Sequence, residues 1–125
     1  MTNRVLVVED QYDNRCILRD LLTSAGYEMI EAVTGEEGVS IAEQERPHLI
    51  LMDMQLPVID GYESTRRIKA NPELKSIPII AVTAYAMSGD DIKAYEAGCD
   101  AYVTKPFSPR KLLATIRQFL PRSDC

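Results

Sequence analysis

The 125 residues predict an α/β fold, a doubly wound five-stranded parallel sheet flanked by five helices. Three observations carry that prediction. Apolar bursts such as Leu49-Ile50-Leu51-Met52 do not alternate with polar residues, which is the pattern of parallel strands covered on both faces. Each burst is followed by an amphipathic stretch of helix length. Most bursts then end abruptly on a charged or hydroxyl side chain, as at Asp53.

The elements follow in order. Arg4 to Val8 is the first strand. From about Asp13 to Ala25 the sequence reads as a helix, with Ile17, Leu18, Leu21, Leu22 and Ala25 on one face and Gly26 as a left-handed cap. Glu28 to Ala32 is a short strand. Gly35 to Glu45 is a helix with Val39, Ile41 and Ala42 inward, and Pro47 marks its end. The third strand runs from His48 to Met52. Gly61 to Ala70 is a helix closed by Asn71-Pro72, and Pro78 to Val82 a fully apolar strand. Ser88 opens the next helix, with Asp91 placed to complete a capping box, and Gly98 closes it. Ala101 to Val103 is the last strand. Ser108 to Leu120 is the last helix, with Leu112, Leu113, Ile116 and Leu120 on its buried stripe. Alternation of this kind requires right-handed crossovers with helices on both faces.

Composition narrows the function. A chain of this length makes one domain and buries roughly two thirds of its unfolded surface, so its core needs no staple. It is 46% hydrophobic and 26% charged, with a net charge of −5, which argues against a nucleic-acid surface. No apolar run reaches the length of a membrane span, and no signal peptide is visible, so a cytoplasmic location is expected. Cys16, Cys99 and Cys125 lie far apart without a C-x-x-C, as in a reducing compartment. His48, the single histidine, has no second ligand near it in sequence. No linker or repeat divides the chain. It ends almost where the last helix ends, so no output domain is expected within it.

In a parallel sheet all carboxyl ends point one way. Strand one ends in Glu9-Asp10, strand three in Asp53, strand four in Thr83, and strand five is followed by Thr104-Lys105-Pro106. With strand order 2-1-3-4-5 the switch point falls between strands one and three. Glu9, Asp10 and Asp53 then share a crevice, with Thr83 and Lys105 converging on it. Asp53 on its own also reads as the first polar residue of a loop. Two carboxylates about 4 Å apart repel by roughly 4 kcal/mol at an effective dielectric near 20. The three must share protons, bind a cation, or lie further apart. A hard divalent cation such as Mg2+ fits best, because it uses one or two carboxylates and keeps several waters. An aspartate beside Mg2+ can act as a nucleophile toward phosphorus. Mg2+ and Lys105 would supply charge, and the Thr83 hydroxyl and the Ala84 backbone N–H would supply hydrogen bonds to a phosphoryl group.

VLVVED, DMQLPVIDG, AVTAYA and AYVTKPF together resemble the receiver domain of two-component response regulators, whose fold is flavodoxin-like, and the likeness runs along essentially the whole chain. The resemblance implies that Asp53 is the phosphoacceptor and that Glu9, Asp10, Asp53 and the backbone carbonyl of Gln55 hold Mg2+. It implies that Thr83 and Lys105 contact the phosphoryl group, and that Thr83 and Tyr102 form a switch. Tyr102 reads equally well as a strand tyrosine packed at an edge. It also implies a cis Lys105-Pro106 bond. Gln55 and Tyr85 would flank the phosphoryl group and tune its lifetime by controlling water access, the alternative being that they are solvent-exposed loop residues. The donor implied is a phosphohistidine on a histidine kinase or histidine phosphotransfer protein, docking around Asn14, Arg15, Ile17 and Leu18 and near Pro57 and Pro106. By helical spacing Ile17 reads first as core, with docking as the alternative.

The expected product is a monomer or weak dimer that signals to a downstream kinase or regulator by protein contact, most like the stand-alone cell-cycle type. Met1 and the polar tail Pro121 to Cys125 favour a complete protein, the alternative being a receiver cut from a longer hybrid kinase or transcriptional regulator. An Mg2+-dependent phosphatase is a rival, but it needs a second Asp two positions after the first, where Gln55 stands. A flavodoxin-like electron carrier needs a phosphate-cradling loop after strand one, where the acidic Glu9 to Asp13 stands. A pure interaction module would not need the full set of site residues.

Overall fold

The computed structural model describes residues 3–83, 90–105 and 108–120, apart from the side chains of residues 90 and 91. Its elements are β1 (Arg4–Val8), α1 (Tyr12–Ser24), β2 (Glu28–Ala32), α2 (Gly35–Glu45), β3 (Leu49–Asp53), α3 (Gly61–Ala70), β4 (Ile79–Thr83), α4 (Asp90–Ala97), β5 (Ala101–Thr104) and α5 (Pro109–Phe119). All strand pairings are parallel, in the order β2-β1-β3-β4-β5. The expected fold is therefore observed. β3, β4 and β5 each extend one residue further than the apolar pattern indicates. The ladder continues beneath the polar residues: Asp53 pairs with Val82 and Thr83 with Thr104.

The period of two divides each strand between two cores. Val5, Val7, Leu49, Leu51 and Ile80 pack with Leu18 and Leu22 of α1 and with Leu112 and Ile116 of α5. Leu6, Val8, Ile50, Met52, Ile79 and Ala81 pack on the other face, with Ala42, Ile68 and Ala94 from α2, α3 and α4. Both sets are almost fully buried, so β1, β3 and β4 are clamped from two sides. Ile17 departs from its expected place in the core. It is 54% exposed, because the buried stripe of α1 is centred on Leu18 and Leu22.

Local signals set the helix ends. Gly26 takes φ +91 just past α1, a conformation L side chains rarely adopt. The Thr34 hydroxyl accepts the Glu37 N–H at 3.0 Å, and Asp60 accepts the Glu63 N–H at 2.9 Å. Ser108 caps α5, with Pro109 in its first turn. The cap expected at Ser88 lies outside the described residues. At the amino-terminal edge of the sheet, Lys69 donates to the carbonyls of Lys75 and Ile77 and to the Asp100 carboxylate, at 2.8 to 3.0 Å. Asp100 in turn accepts the Ile79 N–H, so one ammonium ties the end of α3 to the starts of β4 and β5.

Gly61 is the point at which fold and site meet. A Cβ there would lie 2.3 Å from the Asp53 carbonyl oxygen and 2.7 Å from Met54 Cα, so only glycine lets α3 begin against the end of β3. Backbone atoms cannot yield as a flexible side chain does. Gly61→Ala is expected to cost about 3 kcal/mol, the upper end of ordinary overpacking. Urea unfolding of the variant beside wild type measures it.

Candidate functional site

β1, β3 and β4 lie side by side, so their carboxyl ends deliver Glu9, Asp53 and Thr83 to one edge of the sheet. All three are buried. Asp10, one residue past Glu9, is half-buried at the surface of the same cleft. Carboxylate oxygens of Glu9, Asp10 and Asp53 lie within 4.8 Å of one another. The crowding expected from sequence is real, and scattering of the three acids is excluded.

Lys105 reaches in from the end of β5. Its Nζ donates to Glu9 Oε1 at 3.0 Å and to Asp53 Oδ2 at 3.2 Å. Its backbone N–H donates to the Thr83 carbonyl at 2.7 Å, which fixes the start of the β5–α5 connection against β4. Around Asp53, the Gln55 N–H donates to Oδ1 at 3.0 Å. The Gln55 side-chain amide donates to the Thr83 hydroxyl at 2.6 Å. Glu9 is held further by the Gln11 N–H at 3.1 Å and by the Asn14 amide at 3.4 Å, while Arg15 donates to the Glu9 carbonyl at 3.0 Å. Arg15 also pairs with Glu31 of β2.

Asn14 and Arg15, expected in the docking region, are half-buried, and both turn onto Glu9. The first turn of α1 follows directly on β1, and that proximity was the available signal. The Gln55–Thr83 contact had none, because it depends on side-chain reach between neighbouring strand ends. Tyr102 is half-buried against the core on the α2–α4 face. Ala84, Tyr85 and Pro106, and with Pro106 the cis bond, lie outside the described residues.

The charges are unbalanced: one ammonium faces two buried carboxylates and a third at the rim. Burial is the largest cause that pushes the Glu9 pKa up, followed by its hydrogen bond to Asp53 and the Asp53 charge. The Gln11 N–H and Lys105 pull it the other way without cancelling the rise. For Lys105, burial works against the ammonium, and the carboxylates of Asp53 and Glu9 outweigh it, so its pKa is raised. A divalent cation fits this donor set. The ligand atoms are all hard oxygens, three carboxylates converge, and negative charge is in excess over Lys105.

The other candidate groups are structural. Burial raises the Cys99 thiol to about 11, with Thr65 beside it, which keeps it protonated and inert. His48 accepts the Arg4 N–H on Nδ1 at 2.9 Å and sits away from the acidic cluster. Among the described residues no helix is long and apolar enough to cross a membrane.

A doubly wound sheet with an acidic, lysine-bridged cleft at the carboxyl ends of its central strands defines a class of phosphoryl- and metal-handling proteins. Residues 5–117 match the family model of the response regulator receiver domain, and the chain belongs to that family. It is 44% identical over 120 residues to the polar-differentiation response regulator DivK of Brucella ovis, covering 96% of this chain and 98% of that protein. Among solved structures it resembles the receiver domain of sensor histidine kinase PA1611 from Pseudomonas aeruginosa, which has a magnesium ion coordinated in its active-site cleft. The TM-score is 0.90 at 36% identity, covering 98% of this chain and all of that one. It also resembles a chain of the Saccharomyces cerevisiae complex between the histidine phosphotransfer protein Ypd1 and the receiver domain of Ssk1. There the TM-score is 0.87 at 32% identity, covering 94% of this chain and 88% of that one.

The electrostatics have a direct test. Glu9 in the metal-free protein is expected to titrate above the ordinary glutamate value, and Asp53→Asn to lower it, because two of the three causes that raise it come from Asp53. A carboxyl group with a raised folded-state pKa favours the folded state below its unfolded value. That stability is lost as pH rises through the folded value. Carboxyl-carbon NMR of wild type and variant measures the first effect, and thermal unfolding of the metal-free protein against pH the second.

Proposed function

We propose that this chain is a phosphoacceptor response regulator of a two-component or phosphorelay pathway, with Asp53 as the residue modified. The observation that carries the proposal is the placement of Lys105 Nζ between the buried carboxylates of Asp53 and Glu9, with Asp10 beside them. Glu9, Asp10, Asp53 and the Gln55 carbonyl would hold Mg2+. When bound, Mg2+ supplies the positive charge that the transferring phosphoryl oxygens and the crowded acids lack.

Asp53 is held for attack by the Gln55 N–H on one oxygen and Lys105 on the other. A carboxylate oxygen forms a bond to phosphorus as the bond from phosphorus to the donor nitrogen breaks, and the leaving imidazole keeps the electron pair. Lys105, the Thr83 hydroxyl and the Ala84 N–H take the phosphoryl oxygens. The chain acts only on itself, promoting its own phosphorylation and the later hydrolysis of the acyl phosphate. Gln55 and Tyr85 tune that hydrolysis. The added charge, about −2 near neutral pH, biases Thr83 and Tyr102 and with them the face formed by α4, β5 and α5. The phosphatase alternative is disfavoured by Gln55, whose side chain is engaged with Thr83 and offers no acid.

The donor is the phosphohistidine of a histidine kinase or phosphotransfer protein. Tyr12 and Ile17, 65% and 54% exposed on α1, present apolar surface to it, which supports a docking role for Ile17. The protein works in the cytoplasm and passes its signal by contact with a downstream kinase or regulator.

The central experiment uses Mg2+ and a small acyl phosphate, read by intact mass. Wild type is expected to gain one alkali-labile phosphoryl group and Asp53→Asn none. An unmodified wild type, or an adduct that survives in the variant, overturns the assignment. Ile17→Asp is expected to slow transfer from a phosphorylated histidine donor by on the order of tenfold while leaving labelling by the small molecule unchanged.

A further inference from the structure

The 2.6 Å bond between the Gln55 amide and the Thr83 hydroxyl does more than fill a hydrogen-bonding need. We propose that Gln55 is a positioning residue that latches Thr83 in its resting rotamer, so that recognition of the phosphoryl group must break this bond. The inference rests on the phosphoacceptor reading above and names a control on the same site.

The main chain leading up to Thr83 is held at several points. Thr83 lies within the β4–β5 ladder, opposite Thr104, and its carbonyl accepts the Lys105 N–H at 2.7 Å. Its neighbour Val82 is pinned by the Met54 N–H at 2.9 Å. The main chain of Thr83 is thus tied to β5, and that of Val82 to the end of β3. A hydroxyl that serves a group on Asp53 is reached most simply by rotation about χ1. Threonine has three staggered positions there, and its β-branch keeps it in whichever is held. The Gln55 amide holds one. Moving the oxygen away by about 1 Å already takes the contact beyond hydrogen-bond range, so a rotamer step and the bond exclude each other.

Gln55 is well placed to sense the state of Asp53. Its backbone N–H donates to Asp53 Oδ1 while its side chain holds Thr83. One residue therefore links the phosphoacceptor to the hydroxyl that reads it. A phosphoryl group bonded to Asp53 adds three oxygens beside that link and competes for the hydroxyl. The latch thus weakens the response of the resting protein: part of the free energy of phosphoryl recognition goes into releasing Thr83.

The test uses the full chain with Mg2+ and beryllium fluoride, a tetrahedral mimic of the phosphoryl group, titrated by calorimetry. Gln55→Leu keeps the approximate shape and removes the donor. It is expected to bind beryllium fluoride about fivefold more tightly than wild type, the effect of one net hydrogen bond of ordinary strength. On a Thr83→Ala background the same change is expected to do nothing, which a general structural role for Gln55 would not predict. Unchanged or weaker binding by Gln55→Leu, or a gain that persists without the Thr83 hydroxyl, overturns the latch. Wild type that takes up no beryllium fluoride at all overturns the phosphoacceptor reading and the latch with it. Gln55→Ala is the second variant if the leucine disturbs folding, and the same directions hold.

Discussion

Everything at the site follows from the close approach of Glu9, Asp10 and Asp53, with one ammonium among them. Like charges do not assemble of their own accord. What brings them together is the parallel sheet, whose neighbouring strands must end on the same edge. β1 and β3 are fixed as neighbours by two apolar cores, and the acids follow directly from where those strands stop. Lys105 offsets part of the repulsion from the next strand end but one. It cannot neutralise the cluster, and burial together with the neighbouring Asp53 leaves the Glu9 pKa raised. The fold thus holds a charge imbalance that a cation and a phosphoryl group, arriving together, would redress.

Sequence reasoning reaches as far as backbone geometry determines the outcome. The non-alternating strands identify a sheet covered on both faces, and their polar ends identify the edge that carries the chemistry. Both conclusions need only the periodicity of a strand and the rule that parallel strands share a direction. Ile17 shows where this stops. Helical spacing groups it with Leu18 and Leu21, but spacing does not say how wide a stripe the sheet can cover. In the folded chain Leu18 and Leu22 occupy the centre, and Ile17 lies beyond it. The ends of β3 and β4 fail in a related way. A polar side chain looks like the end of a strand, whereas the ladder depends on main-chain groups and runs on beneath Asp53 and Thr83.

Contacts between side chains on different elements are the least legible. The Gln55 amide meets the Thr83 hydroxyl across 28 positions of sequence, and no periodicity relates the two. Asn14 and Arg15 look like surface residues of a first helical turn. Because that turn begins immediately above β1, they are drawn inward to Glu9. These polar contacts surround the acids and orient them, so they bear on the chemistry as much as the acids do. They emerge only once the strand ends have been placed in space.

The two lysines at opposite edges of the sheet differ in how their charge is matched. Lys69 is met by two carbonyl oxygens and one carboxylate, and that carboxylate also accepts a backbone N–H. Its charge is matched and its hydrogen bonds close a junction of loops, leaving nothing for a ligand to correct. Lys105 is met by two carboxylates, neither belonging to it alone, with a third nearby. Its surroundings hold more negative charge than it can cancel, and they open onto Asp10 at the rim. Lys69 makes three such hydrogen bonds and Lys105 two, but the larger difference between them is in charge balance. The edge with the unmatched charge is the one built to receive a ligand.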